Sequence, residues 1–188
     1  MRGKLLLHTC CGPCATAVLP ALEQEGFEVT LFFFNPNIHP FDEYIRRLNS
    51  LQFFADRVER ICFAPKTYNP REFFYQIQNV QYRCNKCFFL RLNETALWGK
   101  KHKFEYFSTT LTVSPYQDVE EIIHCGESIG LRETISFFGR DYRNKFPQTR
   151  EYSSKLSLYG QSYCGCVYSR WEGVKKKLWR SLSGQKSS

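Results

Sequence analysis

The sequence predicts an α/β domain built on a mainly parallel sheet, and three features carry that reading. Apolar or β-rich runs at 5–7, 28–34, 60–64, 104–113 and 134–138 alternate with stretches whose apolar residues recur at helical spacing. The run Glu28-Val29-Thr30-Leu31-Phe32-Phe33-Phe34 loses all polar alternation at its end, as a strand covered on both faces does. Strand, helix and strand succeed one another within the first 34 residues, the length of one βαβ unit. With 188 residues the chain can bury one sizeable core and is read as a single domain, 1–188.

The first strand, 5–7, runs directly into His8-Thr9-Cys10-Cys11-Gly12-Pro13-Cys14, and a helix follows over 15–25. The loop at the carboxyl end of a parallel strand is where open α/β sheets bind ligands. Here it holds three thiols within five residues, next to a helix N-terminus whose dipole favours thiolate. The second strand ends in Asn35-Pro36-Asn37-Ile38-His39-Pro40, a break on the same edge, where His39 is either a ligand or an ordinary loop histidine. Residues 41–58 place Tyr44, Leu48, Leu51, Phe54 and Ala55 on one helical face. Cys62, within the third strand, is read as a core residue. Asn69-Pro70-Arg71-Glu72 offers a cap, a first-position proline and a first-turn acid for another helix.

A further helix opens at Arg83-Cys84-Asn85-Lys86-Cys87, with Gly99 beside Lys100 and Lys101 as its expected stop. The strand over 104–113 breaks at Ser114-Pro115, a helix over 117–128 takes in Cys125 as a structural residue, and 134–138 is the last strand. Residues 139–180 form a basic segment expected to pack on the active-site edge. It contains a helix over 151–158 and a final helix bearing Trp171, Lys175-Lys176-Lys177, Trp179 and Arg180; a polar tail, 181–188, is expected to be disordered. No internal repeat, glycine-rich phosphate loop or long linker interrupts the chain.

Charge divides unevenly. Residues 1–139 hold 15 basic and 15 acidic side chains, whereas 140–188 hold 11 and 3, so the whole net charge of +8 lies in the last quarter. That asymmetry points to a polyanion such as nucleic acid, or to a solvated basic tail. Lys and Trp interleaved on one helix suit phosphate contact and base stacking, and equally a tryptophan anchored in the core. No apolar run approaches a membrane span, and the short apolar stretch after Met1-Arg2-Gly3-Lys4 is no secretory signal, so a cytoplasmic location is expected.

Nine cysteines in such a chain argue for metal or catalytic thiols rather than a disulfide scaffold. For the first loop three readings are open: buried structural cysteines, a thioredoxin-like dithiol at Cys11-Gly12-Pro13-Cys14, or metal and iron–sulfur ligation. Cys84 and Cys87, three apart near a helix start, share a face and strengthen the last, because such centres want four protein ligands. Cys164-Gly165-Cys166 suits either a strained, reducible disulfide or a thiol relay. Asp141, after the last strand, is either the partner of a neighbouring arginine or a hard oxygen ligand for iron.

Taken together, His8-x-Cys10-Cys11-Gly12-Pro13-Cys14, Asn35-Pro36-Asn37-Ile38, Arg83-Cys84-x-x-Cys87-Phe88, Thr109-Thr110-Leu111 with Ser114-Pro115-Tyr116, and Tyr163-Cys164-Gly165-Cys166-x-Tyr168-Ser169 resemble the QueH-type epoxyqueuosine reductases, in order from residue 8 to about 170. The resemblance implies a Rossmann-like sheet of the HUP-like group. It also implies a cobalamin-independent enzyme that reduces the epoxide of epoxyqueuosine, at the wobble position of tRNA, to queuosine with release of water. A [4Fe-4S] cluster and a second, mononuclear iron are implied as cofactors. On that reading Cys10, Cys11, Cys84 and Cys87 are the expected cluster ligands and Asp141 the oxygen ligand of the second iron. Cys164 and Cys166 are expected to deliver protons or electrons, and Cys14 to support the site. Arg143, Lys175, Lys176 and Lys177 are expected on tRNA phosphates, and a one-electron donor such as ferredoxin or flavodoxin is the expected redox partner. The chain reads Tyr159-Gly160-Gln161 where the family usually has Tyr-Arg-Gln, which removes any role for a side chain at 160. Two other functions compete: a thiol–disulfide oxidoreductase using Cys11 and Cys14, and a zinc-bound nucleic-acid-binding module.

Overall fold

A computed structural model describes residues 1–65, 68–78 and 80–183. Five parallel strands, β1 (Gly3–His8), β2 (Phe27–Phe32), β3 (Cys62–Phe63), β4 (Tyr106–Thr109) and β5 (Ser136–Phe137), lie in the order β3-β2-β1-β4-β5. Leu5 sits opposite Val29 on one side and Tyr106 on the other, so β1 is the central strand and Leu5, Leu6 and Leu7 are wholly buried. The chain leaves β1 toward β2 and β3, then returns to lay β4 on the opposite flank. Strand order therefore reverses at β1/β4, and the crevice beyond their carboxyl ends is the topological switch point.

Helices cover the sheet. They are α1 (Gly12–Gln24), α2 (Phe41–Arg57), α3 (Pro70–Gln76), α4 (Arg83–Lys101), α5 (Val119–Glu133), α6 (Phe146–Lys155) and α7 (Val167–Leu182). Pro13 opens α1, where its fixed φ costs no hydrogen bond, and most of the helix is buried between α2 and α6. The main core joins β1, β2 and β4 to α1, α2, α4 and α5. A smaller aromatic core around Phe32, Phe34, Phe73 and Cys87 lies under α3 and α4.

Four elements differ from the reading of the sequence. The run expected as a strand to 113 leaves the sheet after Thr109 and turns through a 3₁₀ segment, Thr110–Val113; the Thr109 side chain accepts from the Leu111 N–H at 3.1 Å and bends the chain there. Gly99 does not stop α4: a Cβ at that position would meet Ile135 at 2.8 Å, so the glycine lets the helix pass close to the neighbouring segment. Helix α5 continues to Glu133 and closes on Thr134 in the left-handed conformation. Helix α6 begins at Phe146, five residues before the expected start.

The last helix, α7, has no buried residue. Trp171 and Trp179 are exposed, so neither anchors it to the core. Its ties to the body are at its start, where Tyr168 packs on the smaller core and Arg83 binds Glu172 at 2.5 Å. The helix takes in Ser181 and Leu182, the first residues of the stretch expected as a tail; 184–188 lie outside the described residues.

Candidate metal centre

The loop from β1 into α1 brings Cys10, Cys11 and Cys14 together, all buried. The Cys11 and Cys14 sulfurs are 3.2 Å apart, those of Cys10 and Cys11 3.7 Å, and the three lie within 4.8 Å of one another. Cys10 Sγ also meets Thr110 Oγ1 at 3.8 Å, across the switch point from the end of β4. Among the described residues this is the one group of three or more His, Cys, Asp or Glu side chains with ligand atoms so close. Cys14, expected only to support the site, is thus a member of the trio. The signal was its spacing: Cys11 and Cys14 are one helical turn apart at the start of α1.

The trio divides its protons unequally. Hydrogen bonds from Cys11 and then Cys14 draw the Cys10 thiol well below its usual range despite burial, with Arg47 adding to the effect. Burial pushes Cys11 up, and the neighbouring thiols push Cys14 up, so both stay protonated. Soft sulfur donors without a carboxylate among them fit zinc or an iron–sulfur centre rather than magnesium or calcium.

His8 and Arg47 frame the trio differently. The His8 ring spans Thr109 Oγ1 at 3.0 Å and the Phe34 carbonyl at 3.2 Å. The carbonyl only accepts, so Nε2 carries the proton and Nδ1 accepts from threonine. Burial, aided by Arg91, lowers its pKa to about 3, so His8 is a neutral strut between strand ends. Arg47, 1 % exposed, donates to Glu43 at 2.7 Å and to the Cys164 and Tyr163 carbonyls at 3.1 and 2.9 Å. Glu43, itself 4 % exposed, also accepts from the Tyr159 hydroxyl at 2.5 Å. A buried arginine on α2 therefore holds the Tyr163–Cys166 loop over the first thiols. In the sequence Arg47 is one more charge on an amphipathic helix, and only its i,i+4 relation to Glu43 hints at a buried pair.

A second set of thiols stands beside this loop. Cys87, Cys164 and Cys166 share the smaller core, and Cys84 and Cys87 lie close enough to Cys164 to feel its charge. Burial raises the Cys84 thiol and takes that of Cys87 to about 11. A hydrogen bond from Cys166 lowers Cys164 to about 5, against burial and with help from Ser169; the same bond drives Cys166 up. The two are free thiols, as are the other seven cysteines. Cys84 and Cys87 stand outside the close trio of Cys10, Cys11 and Cys14.

Asp141 and Arg143 hold each other. The guanidinium Nε donates to both carboxylate oxygens at 3.0 and 2.9 Å and Nη2 adds a third contact at 2.5 Å, which keeps Asp141 below the usual carboxylate range. Lys175, Lys176 and Lys177 project from α7 into solvent. Cys62 packs against the core as expected. Cys125 lines a cavity of about 420 Å³ over α4 and α5, while another of about 410 Å³ lies between α1, α2 and α6; neither is lined by a thiol of the two sets above.

Comparison with known proteins now adds to the geometry. A family model described as Epoxyqueuosine reductase QueH matches residues 5–172. The Epoxyqueuosine reductase QueH of Dehalococcoides mccartyi is 35% identical over 177 residues, covering 94% of this chain and 97% of its own. That of Haemophilus influenzae is 33% identical, covering 98% and 77%, and that of Thermotoga maritima 29%, covering 93% and 94%. Among solved structures, a predicted subunit of tRNA methyltransferase from Methanocaldococcus jannaschii superposes with a TM-score of 0.53 at 12% identity, over 81% of this chain and 74% of that one. At that identity the likeness speaks for the fold alone.

Proposed function

The chain belongs to the epoxyqueuosine reductase QueH family and is a reductase of tRNA modification, and from that premise we propose how its thiols and its basic helix divide the work. Cys10, Cys11, Cys84 and Cys87 hold a [4Fe-4S] cluster, and Asp141, released from Arg143, serves a second, mononuclear iron. The observation that supports this most is the buried thiol trio at the switch point, together with the Cys164 loop that Arg47 secures. Cys14 lies beside Cys11, with its sulfur 3.2 Å away, as a neighbour of the ligands. When bound, such a group supplies electrons singly and polarises an epoxide oxygen.

Removing an epoxide oxygen as water takes two electrons and two protons. Of the chain's own groups, the Cys164/Cys166 pair is prepared to manage a proton: Cys164 is a thiolate at neutral pH while Cys166 retains its hydrogen. Arg47 fixes both the Tyr163 and Cys164 carbonyls, so the pair cannot swing away from the thiols across the loop. The basic turn of α7, Lys175–Lys177, binds phosphates flanking the anticodon, joined by Arg143 once Asp141 is engaged elsewhere. A one-electron donor protein of the ferredoxin or flavodoxin kind completes the cycle.

Anaerobic purification followed by iron and acid-labile sulfide analysis, with a deoxygenation assay on tRNA bearing epoxyqueuosine, tests this. A brown protein whose colour bleaches on reduction and which turns over is expected. A colourless protein holding zinc alone, without sulfide or turnover, would overturn it.

A further inference from the structure

Three polar side chains near the reactive thiols, Asn37 and His39 buried and Gln161 partly buried, have atoms with nothing to bind. His39 is 7 % exposed, yet neither ring nitrogen has a hydrogen-bond partner. Its backbone is fully engaged: the N–H donates to the Gly165 carbonyl at 2.8 Å, and its carbonyl accepts from the Tyr163 hydroxyl. Asn37, 1 % exposed, leaves Oδ1 unpartnered, and its Nδ2 borders the space over Gly165. Gln161 donates from Nε2 to Cys14 Sγ at 3.6 Å and leaves Oε1 unpartnered. Other orphaned atoms include Ser50 Oγ, which lies against Gly12, and Asn35 Oδ1 on the same loop as Asn37 and His39; of the chosen three, Asn37 and His39 border Gly165, and Gln161 reaches Cys14 of the trio.

Leaving such groups buried and unsatisfied is costly, and a native fold carries few of them without a reason. The set has a defined chemistry. Two amide oxygens accept hydrogen bonds, and an imidazole that both donates and accepts packs against the apolar rings of Phe73 and Phe74 at 5.2 and 4.8 Å. That is a wall suited to a small ring carrying hydroxyls. Resting on the assigned activity, we propose that Asn37, His39 and Gln161 form the subsite that hydrogen-bonds the two hydroxyls on the cyclopentane ring of epoxyqueuosine and thereby selects the ring-bearing wobble base. The loop from β2, which reads as a simple chain break, thus becomes a specificity element. A site built to bind a hydroxyl rejects the analogue lacking it because its own polar groups are then left bare.

Two anticodon stem-loops distinguish the alternatives: one carrying epoxyqueuosine, the other 7-aminomethyl-7-deazaguanine at the same position, without the cyclopentane ring. Affinities of both for the anaerobically prepared holoenzyme are compared with those of His39→Phe and Gln161→Leu. The wild type is expected to prefer the ring-bearing stem-loop, and each variant to lower that preference about tenfold. Affinity for the ring-free stem-loop and the content of iron and sulfide should stay at wild-type values. Equal loss on both stem-loops, an unchanged preference, or a wild type without preference would overturn the subsite and leave buried water as the partner of these atoms. Loss of iron from His39→Phe would overturn it in favour of metal ligation. Should His39→Phe fail to fold, judged by far-UV circular dichroism, Gln161→Leu on the surface loop carries the test. A wild type that binds with the expected preference yet never deoxygenates its substrate sinks the activity instead, so the two failures are told apart.

Discussion

Gly165 shows how much one residue of the site determines. Its φ of +114° lies where side chains are rarely tolerated, and an added Cβ would meet Ile38 at 2.8 Å and Arg47 at 3.3 Å. Gly165→Ala is therefore expected to cost about 2–3 kcal/mol in chemical denaturation, through backbone strain and a clash with the Ile38 side chain; a cost below about 0.5 kcal/mol would show that the loop rearranges freely. Arg47 is the converse case, a buried charge that cannot be removed alone. Arg47→Met leaves Glu43 buried with only the Tyr159 hydroxyl, a loss on the order of 3–5 kcal/mol, readable as a shifted denaturation midpoint. Cys164 offers a test by pH. Its pKa of about 5 lies below the ordinary thiol value, so its ionisation adds stability at pH above that ordinary value, and this contribution declines as pH falls toward 5. In metal-free protein, alkylation of Cys164 followed by peptide mass spectrometry should show a midpoint near pH 5; a midpoint near the free-thiol value of about 8.5 would show that Cys166 donates no hydrogen bond.

At the scale of elements, α7 stands apart because it is a helix without a buried face. Changing Lys175, Lys176 and Lys177 together to Gln should weaken tRNA binding and reduce the slope of log affinity against log salt by about two, if three phosphate contacts are lost. An unchanged slope would place the RNA elsewhere. The same scale shows what could be read beforehand. The βαβ opening was legible because Leu5–Leu7, the Gly12-Pro13 turn and the aromatic run at 28–34 all favour one answer locally. The reach of β4 was not. Thr110, Thr112 and Val113 are β-formers by type, and only the Thr109 side chain, bonding two residues ahead, turns them into a 3₁₀ segment. Gly99 misled for a related reason: at the end of a helical pattern a glycine reads as a stop, whereas here it marks where Ile135 comes close. In the site, the cysteine loop announced itself by density of thiols. Arg47, and the way it ties α2 to Tyr163 and Cys164, depends on residues more than a hundred positions apart, which no local pattern encodes.

For the molecule as a whole, sheet topology explains why thiols so distant in the chain share one end of the fold. With β1 central and the strand order reversing beside it, the segments after β1, β2 and β4 all emerge at one edge, and α4 brings Cys84 and Cys87 toward the Cys164–Cys166 loop. If these two sets grip one cluster, Cys84→Ala should lose iron, sulfide and deoxygenation together, while Cys14→Ala keeps most of its iron; the reverse outcome would move the ligand set onto the close trio. Another consequence follows from where α7 begins. It starts at the residue after Cys166, without a spacer, so a nucleotide held at Lys175 is separated from the reacting thiols by nine residues of rigid helix, about 14 Å at the usual rise. If α7 grips the tRNA backbone, the distance from that grip to the Cys164–Cys166 loop is built in covalently, and the helix would act as a measuring rod.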